Sequence, residues 1–378
     1  MSKTPLRLGM VGGGPGAFIG AVHRTAAALD NQFELVAGAF SSDPEKSRSM
    51  GCELGLDASR AYPTWEALMA GEAALPAEER LQAVSVVTPN HQHHGPTVAA
   101  LRAGFPVICD KPITTSLALA IEMAAVVEET GLPFCLTHNY SGYPLITEAR
   151  ELVSSGAIGN VRKVFVEYLQ GWLADPIERE GQKQAAWRTD PARSGPGGSL
   201  GDIATHAFQL LEHVTGDSVA RVFGKATTFV EGRSLDDDAM VLLEMASGAN
   251  GVLCSSQVCV GKENGLRLRI FGTEGGLEWE QEHPNDLWVH RKGQPSELRR
   301  AGNAYLNEAA QSSGRIPAGH PEGYLEAFAN LYAAFAQAVR GEQGPEFPGI
   351  QDGLRGMQFV EAVLESTSAN SWIPLAQP

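Results

Sequence analysis

The sequence predicts an α/β protein in two parts. The N-terminal half is built on a parallel, doubly wound sheet, and the C-terminal half on a large open, mostly antiparallel sheet. Three observations carry this prediction. The chain opens as strand, glycine turn and helix over residues 6–11, 12–20 and 21–29. Strands and helices then alternate up to about Gly156. From Val161 the pattern changes to period-two runs separated by glycine-containing turns, as expected of antiparallel strands with one covered face. A length of 378 residues suits more than one structural unit. The domain boundary is placed between residues 140 and 141, with the C-terminal helices free to pack back on the first domain.

Composition narrows the class. A hydrophobic content of 43% is ample for buried cores. A net charge of −15 argues against a nucleic-acid partner, which calls for a basic face. No apolar run approaches the ~18 residues of a membrane span, and the first residues carry no apolar signal core. The five cysteines lack a Cys-x-x-Cys pair and read as thiols of a reducing compartment. A cytoplasmic enzyme without membrane partners is expected.

Each element of the first half then brings something to a nucleotide site. Gly12 and Gly14 in the first turn let the backbone approach a pyrophosphate, and the helix that follows offers N–H donors. The turn carries about three extra residues, so the glycine packing helix on strand is expected to be Gly20. Phe18 and Ile19, at the end of the turn, join the cofactor contacts. The second strand, residues 33–40, ends at Ser41-Ser42-Asp43, where the adenosine ribose is expected. Serine is neutral, so NAD is expected with NADP not excluded. The strand at 81–87 ends in Thr88-Pro89-Asn90, followed by His91, His93 and His94, without acidic or cysteine partners for a metal. The strand at 106–109 delivers Asp110-Lys111-Pro112 to the edge where open α/β sheets bind ligands.

The second half contributes an acid and an imidazole. Asp202 and His206 lie four residues apart after the run Gly195-Pro196-Gly197-Gly198, so on a helix they point the same way. Such a pair serves as acid/base groups or as two metal ligands. A third ligand with compelling spacing is missing, and no metal is expected. The polar stretch 281–318 reads as loop and short strand. Gly319-His320-Pro321-Glu322-Gly323-Tyr324 opens a helix to Arg340, and a last helix starts at Gln351.

In order and spacing, these markers resemble the Gfo/Idh/MocA family: glucose–fructose oxidoreductase, inositol dehydrogenase and rhizopine-catabolism proteins. The resemblance rests on Gly-Met-Val-Gly-Gly-Gly at 9–14 with Gly20 to His23, Thr88-Pro89-Asn90 with His93, Asp110-Lys111-Pro112, Trp187-Arg188, and Gly201-Asp202 with His206. Asp110 stands where the family usually has Glu. The enlarged glycine turn and the loop at 319–324 resemble a subgroup with scyllo-inositol and L-glucose dehydrogenases. The resemblance implies an N-terminal Rossmann domain and a C-terminal α/β domain whose open sheet mediates homodimers or homotetramers. It implies NAD(P)-dependent oxidation of a cyclic polyol or sugar, a cis peptide before Pro112, and a histidine, His320, that reaches a neighbouring subunit's site.

Oxidising a secondary alcohol needs a hydride acceptor and a base. His206 is assigned as base, since an imidazole titrates near ~6.5 when unperturbed. Lys111 is assigned to the reacting oxygen, where its charge opposes protonation of His206 and stabilises a developing alkoxide. Asp202 anchors a neighbouring hydroxyl. Arg188, Tyr143 and His320 are further substrate contacts, and Thr88, Pro89, Asn90, His93, Asp110, Lys111, Trp187 and Arg188 face the cofactor. Trp187 could equally be a core ring, and Tyr140 either a site residue or a buried ring. The rival from another class is a non-catalytic NAD(P)-binding sensor, which needs the glycine turn but not Lys111, Asp202 and His206 together. Within enzymes, the alternatives are reduction of an aldehyde or imine and oxidation at a sugar's anomeric carbon.

Overall fold

Five parallel strands form the first sheet: β1 (Leu6–Gly12), β2 (Phe33–Ala39), β3 (Ala83–Val87), β4 (Val107–Cys109) and β5 (Phe134–Leu136), in the order β2-β1-β3-β4-β5. The structure, a computed structural model, describes residues 4–376. Helices α1 (Phe18–Leu29), α2 (Pro44–Glu53), α3 (Trp65–Ala73), α4 (His94–Arg102) and α5 (Leu117–Thr130) alternate with these strands. Strand order reverses between β1 and β3, so the carboxyl ends there define the crevice in which such sheets bind ligands. β3, β4 and β5 are buried at every position, as strands covered on both faces must be.

The second sheet has nine strands in the order β13-β12-β11-β10-β6-β9-β8-β7-β14. They are β6 (Val161–Leu169), β7 (Val219–Thr227), β8 (Asp238–Met245), β9 (Asn250–Ser256), β10 (Gly265–Gly272), β11 (Gly275–Glu280), β12 (Asp286–Arg291), β13 (Glu297–Arg300) and β14 (Ile373–Pro374). All pairings are antiparallel except β6 with β9. Seven more helices complete the described chain: α6 (Pro144–Ser154), α7 (Lys183–Arg188), α8 (Pro191–Ser194), α9 (Thr205–Thr215), α10 (Glu308–Ser312), α11 (Tyr324–Val339) and α12 (Ile350–Ala369). Phe208 of α9 stacks on Phe359 of α12 at 4.5 Å, and α12 packs so closely on β7 that a Cβ on Gly224 would meet Val363 at 2.8 Å. Burial alternates along β8, and its uncovered positions include Met240, 60% exposed, and Leu242, 48% exposed.

The chain divides into two compact units. One takes the chain up to Thr114 with Ala118–Asn139 and Tyr324–Leu354; the other takes Thr115–Leu117, Tyr140–Gly323 and the chain from Arg355. The penultimate helix, α11, therefore belongs to the first unit. Phe328, Tyr332 and Phe335 of α11 join Val22 and Ala26 of α1 and Phe33 of β2 in one apolar cluster.

Helix α3 runs to Ala73, with buried Glu72 bound by Arg60, Tyr62 and the Leu81 N–H. Two local expectations need correction. The polar stretch 281–318 holds a helical turn, α10, which Asn307 caps by accepting from the Ala310 N–H at 2.9 Å. The helix expected to carry both Asp202 and His206 begins as a π turn, Leu200–Ala204, ahead of α9. Among the described residues, no helix is long and apolar enough to cross a membrane.

Candidate active site

The first unit gathers its candidates by topology. Because the sheet is parallel, β1, β2, β3 and β4 deliver Gly12, Ser41, Thr88 and Asp110 to the same edge. The turn after β1 needs glycine for two reasons. Gly12 and Gly13 have φ of +91° and +70°, a backbone that side chains disfavour. Gly14 and Gly20 have no room for a Cβ: one on Gly14 would lie 2.3 Å from the Phe40 carbonyl oxygen, and one on Gly20 would lie 2.3 Å from the Gly13 Cα. Helix α1 thus packs directly on the turn, through Gly20. A bare backbone turn at the N-terminus of a twelve-residue helix fits the pyrophosphate of a dinucleotide. Phe18 is exposed at the start of α1 and Ile19 is half-buried.

A Gly14→Ala change is expected to force the turn away from Phe40. The expected cost is about 1–3 kcal/mol of stability, together with a loss of NADH affinity in a fluorescence titration. Unchanged affinity and melting temperature would contradict the close approach.

Ser41 is half-buried and Ser42 exposed at the end of β2. The Ser41 hydroxyl accepts from the Asp43 N–H at 3.1 Å, while the Asp43 carboxylate caps α2 through the N–H groups of Glu45 and Lys46. Thr88 and Pro89 are half-buried, and Asn90 is buried. The three histidines that follow turn to different partners. His91 is exposed, His94 lies 3.2 Å from Glu122, and His93 is fully buried. The His93 ring nitrogens lie 2.7 Å from the Pro112 carbonyl and 2.8 Å from the Thr88 carbonyl. His93, expected above as a cofactor contact, sits between two strand ends, with a ring nitrogen against a main-chain carbonyl of each.

Asp110 accepts from the Lys111 N–H at 3.0 Å and the Thr137 hydroxyl at 2.9 Å. Burial works against its charge, but His23, then Lys111 and His93, outweigh burial and hold the carboxyl below the usual range. Lys111 is half-buried, and the peptide between Lys111 and Pro112 is cis. His138, two residues past β5, is buried, and burial first, then the Lys111 charge, pushes its pKa down to about 3.

The His138 shift has a direction in pH. Above the unfolded value of ~6.5 the ring is neutral in both states. Below it the unfolded chain binds a proton that the folded unit refuses, so stability falls with pH until about 3. Between pH 7 and 5 the expected loss is about 2 kcal/mol. His138→Gln is expected to flatten that slope in thermal unfolding; equal slopes for the two proteins would sink the assignment.

In the second unit, Asp202 sits in the π turn and His206 one turn on, in α9. Buried Asp236 builds this start by accepting from the Gly198 N–H, the Leu200 N–H and the Ser199 hydroxyl at 2.7, 2.9 and 2.8 Å. One oxygen of Asp202 accepts from Gln257 Nε2 at 2.9 Å and Arg188 Nε at 3.3 Å. The Arg188 guanidinium lies 4.2 Å from the Trp187 ring centroid and is steadied by Gln184, whose side-chain oxygen accepts from Nη1 at 2.8 Å. Asp202 is thus held by a cation and an amide.

The His206 imidazole is buried and lies edge-on to Tyr140, with ring centroids 4.7 Å apart. The Tyr168 hydroxyl donates to Asn264 Oδ1 at 2.6 Å, and Asn264 Nδ2 donates to the Tyr140 hydroxyl at 3.1 Å. The 2.5 Å contact between the two tyrosine oxygens closes the ring, with Tyr140 donating to Tyr168. Tyr143 is buried, stacks on Tyr140 and meets Gln281 through its hydroxyl. His320 lies on an exposed turn, and its Nδ1 donates to the Pro317 carbonyl at 3.1 Å.

Sequence reasoning missed Gln257, Asp236, Tyr168 and Asn264. Neutral amides and a strand tyrosine carry no periodic or spacing signal; pairing across β6, β9 and β10 gathers Tyr168, Gln257 and Asn264, and Asp236 comes from the segment before β8. Among the described residues, no group of three or more His, Cys, Asp or Glu side chains is placed to hold a metal ion.

Residues 6–138 match the oxidoreductase family with an NAD-binding Rossmann fold, and residues 146–278 match the GFO/IDH/MocA C-terminal domain. The chain is 34% identical to the uncharacterized oxidoreductase YfiI of Bacillus subtilis, covering 98% of this chain and 97% of that protein. It is 26% identical to levoglucosan dehydrogenase of Pseudarthrobacter phenanthrenivorans, covering 98% of each. An inositol dehydrogenase homologue from Azotobacter vinelandii, solved with NADH and myo-inositol, is 37% identical over 98% of each chain with a TM-score of 0.91. A parallel-sheet unit with a glycine turn that leaves its backbone bare, joined to an open-sheet unit that presents an acid and an imidazole, makes this chain a member of the Gfo/Idh/MocA family of NAD-dependent oxidoreductases.

Proposed function

We propose that the protein oxidises a secondary hydroxyl of a cyclic polyol or sugar, an inositol or an aldose such as L-glucose, with His206 as base. The observation that carries this reading is the Asp202–His206 pair in its setting. Arg188 and Gln257 hold the carboxylate, and a closed ring of hydroxyl and amide groups fixes the tyrosine against which the imidazole packs. Relatives whose names include inositol and levoglucosan dehydrogenases support the substrate class.

NAD, when bound, supplies the acceptor for the hydrogen leaving the carbon. Gly12, Gly14, Ser41 and the strand ends at Thr88 and Asp110 hold it. Lys111 hydrogen-bonds the reacting oxygen and stabilises its growing negative charge. His206 accepts the hydroxyl proton at a ring nitrogen. Asp202 accepts from an adjacent substrate hydroxyl and so selects which carbon is presented. A second copy pairs through the uncovered face of the nine-stranded sheet, where Met240 and Leu242 are exposed, and His320 extends to the neighbour's site.

The test is a panel of inositols, aldoses of both hands and anhydro-sugars with NAD and with NADP, followed by nicotinamide absorbance. Turnover of a polyol or sugar with NAD is expected. A flat response across the panel would overturn the substrate class.

A further inference from the structure

Behind Asp110 lies a chain of buried polar groups for which none of the assigned roles accounts. Ser85 Oγ is 3.0 Å from the Tyr332 hydroxyl, and that hydroxyl is 2.8 Å from His23 Nδ1. The other ring nitrogen, Nε2, lies 3.8 Å from Asp110 Oδ1. His23 is fully buried, packed edge-on against Phe328 at 5.0 Å and Tyr332 at 5.8 Å. Its Nε2 has no hydrogen-bond partner. A buried imidazole nitrogen without a bond is costly, and here it faces a carboxylate.

We propose that His23 is a positioning residue that, with Tyr332 behind it, holds Asp110 and so fixes the backbone from which Lys111 projects. The hydrogen positions follow from the partners. An ionised carboxylate only accepts, so Nε2 must carry a hydrogen for the contact with Asp110 to attract. In the neutral ring Nδ1 is then an acceptor and the Tyr332 hydroxyl donates to it, leaving the tyrosine oxygen to accept from Ser85. Tyr332 thereby selects the tautomer that faces Asp110. Asp110 in turn accepts from the Lys111 N–H and the Thr137 hydroxyl on the same oxygen, Oδ1, that faces His23. Rotation of that carboxyl moves all three contacts together.

The proposal rests on the assignment of Asp110 and Lys111 to the cofactor side of the site. The experiment separates the two. NADH affinity is measured by fluorescence titration, and melting temperature is followed, for the full chain and for His23→Phe, Tyr332→Phe and Asp110→Asn. His23→Phe keeps an aromatic ring against Phe328 and removes both nitrogens. His23→Phe and Asp110→Asn are each expected to weaken NADH binding about tenfold, with the double variant no worse than either, because the two act as one unit. Tyr332→Phe, which releases the tautomer, is expected to weaken it about threefold. His23→Gln, which keeps an N–H donor, is expected to recover part of the loss; it carries the comparison if His23→Phe does not fold. Weakened binding in Asp110→Asn with wild-type affinity in the folded His23 variants overturns the proposal alone. Additive losses in the double variant also overturn it. Wild-type affinity in both single variants overturns the assignment of Asp110 as well.

Discussion

Replacing His206 with Ala is expected to lower kcat by ~10²–10⁴-fold, the usual worth of a positioned general base, while NADH affinity stays near wild type. The imidazole sits at the start of α9, edge-on to Tyr140, and the π turn before it is held by Asp236. Removing the ring therefore takes away the proposed proton acceptor and leaves the glycine turn unaltered. The measurement is steady-state turnover of whichever substrate the panel identifies, alongside an NADH titration. A variant that turns over at more than a tenth of the wild-type rate would remove His206 from the base role.

Replacing Lys111 with Met is expected to lower kcat/KM by ~10²–10³-fold, because the side chain keeps its length but loses the charge proposed to stabilise the developing alkoxide. Lys111→Arg is not expected to restore the rate, since a planar fork cannot reproduce a compact ammonium. The backbone under Lys111 is fixed by Asp110, which takes its N–H, and by His93, which takes the Pro112 carbonyl. The loss should therefore reside in the charge rather than in a displaced strand end. Wild-type melting temperature with lowered kcat/KM is the expected pattern. Wild-type kcat/KM would exclude Lys111 from the reacting oxygen.

The two halves of the fold were legible because they differ in period. Alternation of strand and helix announces a parallel sheet, and period-two runs announce an antiparallel one. Gly12, Gly14 and Gly20 were legible because a strand followed by a glycine turn has few structural meanings. Asp202 and His206 were legible as a pair from their spacing, although the π turn that carries Asp202 was not. A widened turn leaves no mark on the hydrophobic pattern; it depends on where Asp236, more than thirty residues on, places its carboxylate.

By itself, the sequence determined the order of the units and the phosphate-binding turn, and it singled out Lys111, Asp202 and His206 as candidates, since these rest on local backbone requirements and short spacings. Only the tertiary structure decided how each group is held. Gln257 and Arg188 share one oxygen of Asp202, Tyr168 and Asn264 fix the ring beside His206, and His23 faces Asp110 across a buried gap. These contacts join residues from 14 to 124 positions apart. The hydrogen bonds and charges that tune the site are non-local, and no periodicity along the chain records them.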